Sequence, residues 1–284
     1  MKFLRYGPCG HEKPAILDDK GRIRDLSGHI SDLRDAMLHP DRLRTLAALD
    51  PSSLPLVDGS PRLGVPVAGI GKIFGIGLNY RSHAAETGAT PGAEPLLFSK
   101  AITALTGPND GIMLPRNSLK TDWEVELAVI IGAKAQYIDE RRALDYVAGF
   151  AVINDVSERA FQKQRGGQFV KGKSADTFAP IGPWLVTPDE IDDVQALSLW
   201  LDVNGRRRQT GKTADMIFSV AFLISHISQF ITLLPGDVIA TGTPDGVGAG
   251  CVPPEFLKPG DVVELGVEGL GRQRQEVIAY RPGT

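Results

Sequence analysis

Residues 124–132 read Glu-Val-Glu-Leu-Ala-Val-Ile-Ile-Gly. The segment alternates at first and then turns continuously apolar, the pattern of a strand that runs into a core. Residues two apart on a strand point to one face, so Glu124 and Glu126 share a face. Two carboxylates placed there repel each other and lose hydration. A hard divalent cation resolves both costs, because carboxylate oxygens suit Mg²⁺ or Mn²⁺, with Ca²⁺ as a substitute. Glu-x-Glu pairs also occur on solvated strand edges. The apolar run at residues 127–131 is what places this one in a core.

Working outward, residues 146–154 form a second apolar strand pattern that ends at Asp155. Shorter strand patterns lie at 72–78, 95–100, 197–203, 238–241 and 261–267. Near the start, residues 3–6, 13–17 and 22–25 read as short strands with turns between them, and residues 32–49 are mixed with helical character. Residues 51–66 carry four prolines, two glycines and three serines, which marks a linker. The expected organisation is a small N-terminal domain, 1–66, and a main domain, 67–284. One long amphipathic helix is expected at 213–233, where Met216, Ile217, Val220, Leu223, Ile224, Ile227, Phe230 and Ile231 follow helical spacing up to the Pro235-Gly236 stop. Strands do not alternate regularly with helices, which disfavours a doubly wound sheet or an α/β barrel. The pattern fits an α+β fold, mainly β.

The chain of 284 residues is 42% hydrophobic and 23% charged, enough to bury a sizeable core and to exclude global disorder. A formal net charge of -3 argues against nucleic acid or an anionic membrane as a partner. Cys9 and Cys251 sit in no Cys-x-x-Cys pattern, which argues against a disulfide scaffold or a thiolate zinc site. No apolar run approaches the ~20 residues of a membrane span. Residues 1–10 lack the apolar stretch of a signal peptide, so a cytoplasmic protein is expected.

Several further segments can carry chemistry. Asp155 closes its strand just ahead of Ser157-Glu158-Arg159. It can serve as a turn former or helix cap, or as a third carboxylate beside the Glu-x-Glu pair. In Asn79-Tyr-Arg-Ser-His83-Ala-Ala-Glu86, a helical turn would bring His83 and Glu86 together at i, i+3, and a carboxylate raises the basicity of a neighbouring imidazole. The glycines and proline that follow would equally suit a mobile loop, compatible with a lid. In Lys171-Gly-Lys173-Ser174, a lysine near carboxylates can hold an anion or an oxyanion. Arg159 and Gln162 could point into the same site. Residues 240–248, Ala-Thr-Gly-Thr-Pro-Asp-Gly-Val-Gly, follow a strand and allow close backbone approach to a ligand. Gly75-x-Gly77 lacks the third glycine of a dinucleotide fingerprint and no Walker A pattern occurs, so nucleotide binding is set aside.

Taken together these segments resemble the fumarylacetoacetate hydrolase (FAH) superfamily. The matching stretches are Gly77-Leu-Asn-Tyr-Arg-Ser-His83-Ala-Ala-Glu86, Asp122-Trp-Glu124-Val-Glu126-Leu-Ala-Val-Ile-Ile-Gly132, Asn154-Asp155-Val-Ser-Glu-Arg159, Lys171-Gly-Lys173-Ser174 with Asp176-Thr177, and Thr241-Gly-Thr-Pro. They stand in family order across most of residues 70–250. The resemblance implies a mixed β-roll with a small N-terminal α/β domain, and a homodimer. It implies that Glu124, Glu126 and Asp155 bind Mg²⁺ or Mn²⁺, and that His83 and Glu86 form a water-activating dyad on a lid. Lys173 would be the active-site lysine beside the metal, and Arg159, Gln162 and Thr241 would contact substrate. Lys100 and Cys251 are assigned no role.

The expected activity is metal-dependent hydrolysis of a C–C bond in a β-diketo acid of the acylpyruvate or 2,4-diketo-3-deoxy sugar acid type, giving pyruvate and a carboxylic acid. The opening Lys2-Phe-Leu-Arg-Tyr-Gly and the chain length resemble members that act as ureidoglycolate lyases or as 2,4-diketo-3-deoxy-L-rhamnonate hydrolases. Alternatives on the same fold are a ureidoglycolate lyase, an oxaloacetate decarboxylase and a keto-enol isomerase. The non-enzymatic alternative is a metal-binding protein without turnover.

Overall fold

The computed structural model describes residues 1–282. In chain order its strands are β1 (Lys2–Tyr6), β2 (Lys13–Leu17), β3 (Ile23–Asp25), β4 (Ile73–Gly77), β5 (Leu96–Lys100), β6 (Leu105–Thr106), β7 (Ile112–Met113), β8 (Thr121–Asp122) and β9 (Val125–Ile131). They continue with β10 (Val147–Asn154), β11 (Ser157–Glu158), β12 (Ala179–Val186), β13 (Ser198–Val203), β14 (Arg206–Lys212), β15 (Val238–Ala240), β16 (Val262–Val267) and β17 (Gly271–Ile278). The helices are α1 (Pro40–Ala47), α2 (Arg81–Thr87), α3 (Arg159–Gln164), α4 (Phe169–Lys173) and α5 (Val220–Ser228). The fold is α+β and mostly sheet, as the strand patterns imply.

The larger sheet runs β3-β2-β1-β12-β10-β9-β15-β4-β5, with β6 joined to β12. The smaller sheet runs β14-β13-β16-β17-β7. Every residue of β9 and β10 is buried. That accounts for their unbroken apolar runs, since a central strand covered on both faces needs no polar side. Leu199 and Leu201 of β13 and Val263 and Leu265 of β16 join Leu127 and Val129 of β9 in one core. The N-terminal strands extend the same sheet through β1, which pairs antiparallel with β12. The proline-rich stretch runs back along those strands: the Gly64 N–H donates to the Arg5 carbonyl at 2.8 Å and the Val57 N–H to the Ile23 carbonyl at 3.0 Å.

The long helix expected at 213–233 is shorter, covering Val220–Ser228 only. The apolar spacing is real, but partners outside the helix capture both ends. The Ile217 N–H donates to the Asn79 carbonyl at 2.7 Å, and the Phe218 N–H donates to Asn79 Oδ1 at 2.8 Å. Ser219 then caps the helix by accepting from the Phe222 N–H at 3.1 Å. At the other end Leu233 exchanges backbone hydrogen bonds with Ala135. Three substantial strands lack an apolar signature. Prolines Pro180 and Pro183 interrupt β12. The strand β14, Arg-Arg-Arg-Gln-Thr-Gly-Lys, is almost entirely polar and is joined to β13 through Asn204-Gly205, both at positive φ. In β17 the inward positions include Gln273 and Gln275.

No helix is long and apolar enough to cross a membrane among the described residues.

Candidate active site

The register of β9 against β10 assembles the acidic cluster. Val125 faces Asn154 and Glu126 faces Ile153, so the next step of the ladder sets Glu124 beside Asp155. The Asp155 N–H donates to the Glu124 carbonyl at 2.9 Å. Glu124, Glu126 and Asp155 are all buried, and each offers an oxygen within 4.8 Å of the others.

Cations surround two of the three carboxylates. Arg159 Nη2 donates to Glu124 Oε1 at 2.6 Å and Lys173 Nζ to Glu124 Oε2 at 2.6 Å. Lys173 also bonds Asp155 Oδ2. Lys100 Nζ takes the other Asp155 oxygen, Oδ1, at 2.6 Å. Burial would raise the Glu124 carboxyl, but Arg159 and then Lys173 outweigh it and hold Glu124 well below the usual carboxylate range. Burial would lower the Lys173 ammonium, and Asp155 and Glu124 reverse that. For Lys100 burial wins, so its ammonium is pulled down despite Asp155.

Glu126 differs. Its Oε2 accepts the Gly242 N–H at 2.7 Å. Among the described residues no cationic side chain lies within ion-pair distance of it. Burial, followed by the charges of Asp155 and Glu124, pushes its carboxyl well above the ordinary value. A buried carboxylate without a cation, converging with two others, makes an all-oxygen donor set that fits a hard divalent ion. This agrees with the cation expected for the cluster.

Glu124, Glu126, Asp155, Arg159 and Lys173 line one cavity of about 220 Å³. His83, on α2, lines the same cavity. Its Nδ1 lies 3.0 Å from Glu86 Oε2, which leaves Nε2 as the ring nitrogen available to a ligand. Glu86 Oε1 accepts the Gly246 N–H at 2.9 Å, tying the pair to the loop after β15. The helical alternative for this segment is the one observed, with Gly88 at φ 64 ending α2 in a left-handed cap.

Arg159 and Gln162 sit on α3 and line the cavity, with Arg159 Nη1 donating to Gln162 Oε1 at 3.3 Å. Lys173 closes α4. That short helix packs so tightly on α3 that a Cβ at Gly172 would meet Gln162 Cβ at 2.5 Å and the Glu158 carbonyl oxygen at 2.7 Å. Glycine at 172 is therefore what lets Lys173 reach the carboxylates. Thr241 is placed apart from the other candidates. Its hydroxyl donates to the Leu127 carbonyl at 3.0 Å inside the sheet, and the cavity wall holds Thr243 in its stead.

Three further residues belong to the site. Asp122 accepts from Arg159 Nε at 2.8 Å and orients that guanidinium. It continues the every-second-residue series of Glu124 and Glu126 backwards by one step, a signal present in the sequence. Lys100 is fully buried against Asp155; its sequence signal is a lysine at the end of an apolar strand. Phe98 stacks under Lys173, whose Nζ lies 5.0 Å from the ring centroid; no pattern in the chain distinguishes it from a core aromatic.

Residues 72–278 match the family described as Fumarylacetoacetate (FAA) hydrolase C-terminal. A relative in Burkholderia orbicola (strain MC0-3), which carries only a provisional hydrolase name, is 59% identical over 276 residues, 97% of this chain and 98% of its own. Among solved structures, a fumarylacetoacetate hydrolase from the psychrophile Exiguobacterium antarcticum superposes with a TM-score of 0.88 at 33% identity, covering 99% of this chain and 100% of that one. Maleylpyruvate hydrolase from Sphingobium sp. SYK-6, solved with manganese(II) and pyruvate, gives 0.82 at 26% identity, with the same coverage of 99% and 100%. A 2-hydroxyhepta-2,4-diene-1,7-dioate isomerase from Mycobacterium marinum gives 0.75 at 30% identity and covers 100% of both chains.

Proposed function

This chain belongs to the fumarylacetoacetate hydrolase family, and from that footing we propose that it hydrolyses a C–C bond in a β-diketo acid of the acylpyruvate type. The observation that carries the reading is the His83–Glu86 pair on the same cavity as the three carboxylates. Binding alone needs the carboxylates; a base beside them is needed only for chemistry. A divalent cation, Mg²⁺ or Mn²⁺, held by Glu124, Glu126 and Asp155 would supply Lewis acidity toward the oxygens of a 2-oxo acid.

The residues of the chain divide the remaining work. Glu86 holds His83 Nδ1 and steadies the imidazole, so Nε2 takes a proton from water. The hydroxide adds to the distal carbonyl carbon. The bond between that carbon and the methylene breaks, and its electron pair passes to the methylene as the enolate of pyruvate. Lys173, buried in the cavity wall, faces the developing negative charge. The proton held by His83 returns to the methylene carbon. The balance is diketo acid plus water to pyruvate and a carboxylic acid. Arg159 and Gln162 orient the substrate. Thr241 acts through Leu127 of β9, which its hydroxyl holds.

A second reading, keto-enol isomerisation, draws support from the likeness to the dioate isomerase and needs only proton transfer at the same His83. We also propose that residues 1–66 form a small domain and that the chain works as a homodimer, to be checked by light scattering in solution.

The test is a spectrophotometric panel of acetylpyruvate, a 2,4-diketo-3-deoxy sugar acid, oxaloacetate and ureidoglycolate with added Mg²⁺ or Mn²⁺ and an EDTA control. EDTA-sensitive pyruvate release from a diketo acid is expected. Release from oxaloacetate alone, glyoxylate from ureidoglycolate, or a shift in enol absorbance without cleavage would replace this reading with a decarboxylase, a lyase or an isomerase respectively. Metal binding with no turnover at all would leave a binding protein.

A further inference from the structure

The strand β15 pairs with β9 as far as Ala240 opposite Ala128, and the Thr241 N–H still reaches the Leu127 carbonyl at 3.1 Å. At Gly242, with φ 104, the chain turns away. Val125 lies two residues before Leu127, so its N–H and C=O face the edge of β9 that β15 has just left. Glu124 turns to the opposite edge, where its N–H reaches Asn154 Oδ1 at 3.1 Å and its carbonyl accepts the Asp155 N–H. Val125 is fully buried, and a buried peptide group without a partner is costly.

Two side chains take the place of the missing strand. Gln209 Oε1 accepts the Val125 N–H at 3.0 Å. Thr243 Oγ1 donates to the Val125 carbonyl at 2.9 Å. Gln209 Nε2 joins the two by donating to Thr243 Oγ1 at 2.8 Å, and it also donates to the Pro244 carbonyl at 2.9 Å. The result is a closed ring of hydrogen bonds around Val125, the residue between Glu124 and Glu126. Gln209 is fully buried, the one inward side chain of the otherwise polar strand β14. That strand also packs directly on the loop after β15. A Cβ at Gly211 would meet Pro244 Cβ at 2.6 Å, and one at Gly246 would collide with the Arg208 carbonyl oxygen.

We propose that Gln209 is a positioning residue for the cation site. Its amide acts as a substitute peptide group that fixes Val125, and with it the directions of the two glutamates that flank Val125. Glu124 and Glu126 share one face with Asp155, so their mutual repulsion pushes on the end of β9, and the ring resists that displacement. The same ring sets Thr243 in the cavity wall. The inference rests on the reading of the three carboxylates as a cation site and is independent of the bond that is cleaved.

The test is titration of the full-length protein with Mn²⁺ followed by electron paramagnetic resonance, which reads the free ion and the bound ion separately. Gln209→Met keeps the length of the side chain and removes its donors and acceptor. It is expected to bind Mn²⁺ about ten-fold more weakly, the scale of a lost outer partner of a metal ligand, and to change the spectrum of the bound ion. Thr243→Val opens the same ring from the other side and is expected to weaken binding as well. The two losses are not expected to add in the double variant. Thr243→Ser keeps the hydroxyl and is expected to stay within about a factor of two of the unaltered chain. Gln195→Met is the control for a purely structural loss, since its amide bonds go to the Thr213 carbonyl, Met216 Sδ and the Val220 N–H. It is expected to lower Tm and leave Mn²⁺ affinity within about a factor of two. Unchanged affinity in Gln209→Met, or an equal loss in Gln195→Met, overturns the assignment. If Gln209→Met does not fold, unchanged affinity in Thr243→Val overturns it. An unaltered chain that binds no Mn²⁺ overturns it together with the cation-site reading. If the affinities change as expected while no diketo acid is cleaved, the Gln209 assignment stands and the hydrolase reading alone falls.

Discussion

The backbone N–H of Asp155 donates to the carbonyl oxygen of Glu124 at 2.9 Å. That one bond, at the end of the β9–β10 ladder, turns two carboxylates distant in the chain into neighbours. Lys173 then bridges them from α4, and Glu126 completes the set from two residues further along β9.

Metal binding should release protons. The Glu126 carboxyl is raised above its ordinary value, chiefly by burial, so a proton stays on it over a wider pH range when no cation is bound. A raised carboxyl contributes stability that is fully present below its unfolded value, 4.5, and is lost as pH rises through the folded value. Cation binding needs the ionised form. The metal-free protein should therefore lose this contribution as pH rises, and the gain in Tm from Mn²⁺ over an EDTA control should grow with pH. Calorimetry in buffers of different ionisation enthalpy should show proton release, absent in Glu126→Gln, which should also bind Mn²⁺ at least about 100-fold more weakly. A Tm gain that shrinks as pH rises would contradict this.

His83→Ala should lower hydrolysis of a diketo acid by roughly 10²–10⁴, the usual contribution of a positioned base. It could spare decarboxylation of oxaloacetate, which needs no attacking water. Glu86→Gln should act in the same direction, because its amide NH₂ cannot accept from His83 Nδ1 while its Oε1 can still take the Gly246 N–H. Parallel kcat measurements on both substrates check this; equal loss on the two would remove the distinct role of the dyad.

Gly172→Ala should destabilise the protein by about 1–3 kcal/mol, the scale of an overpacked contact. The added methyl would meet Gln162 Cβ at 2.5 Å and the Gln162 backbone nitrogen at 2.6 Å. Because α4 must shift, Lys173 should leave Glu124 and Asp155 as well. Chemical denaturation together with kcat would show both effects, and an unchanged midpoint with full activity would refute the packing argument.

Lys100→Met should cost about 3 kcal/mol in denaturant unfolding, the lower range for removing one partner of a buried ion pair. Lys100 and Asp155 are both fully buried, so the carboxylate left behind cannot recover water. Lys173 still reaches the other oxygen of Asp155, which keeps the loss toward that lower range. An unchanged unfolding midpoint would show that the ion pair contributes nothing net.

Much of the fold and most of the site could be read from residue order alone. The strands at β9 and β10 were legible because a strand buried on both faces must be apolar throughout. The His83–Glu86 contact was legible as a spacing of three on a helix. Legibility failed where context overrides local signal. The strand β14 is polar and β12 carries prolines, so neither shows an apolar period. Thr241 and Thr243 occupy neighbouring, equally glycine-rich positions and both hydroxyls donate to carbonyls of β9, Thr241 to Leu127 and Thr243 to Val125, yet only Thr243 also lines the cavity, a difference that residue order does not show.

The sequence by itself determined the chemistry available: an acidic pair on a core strand, a helical His–Glu step, and a lysine after a glycine. Those are properties of local period and residue type. Which carboxylates carry a cation and which one lacks it was decided only by the tertiary structure. The same holds for Lys100 at Asp155. The physical reason is that burial removes solvent screening, so the charge state of each group depends on which neighbour the fold brings within a few ångströms, and distance along the chain does not encode that.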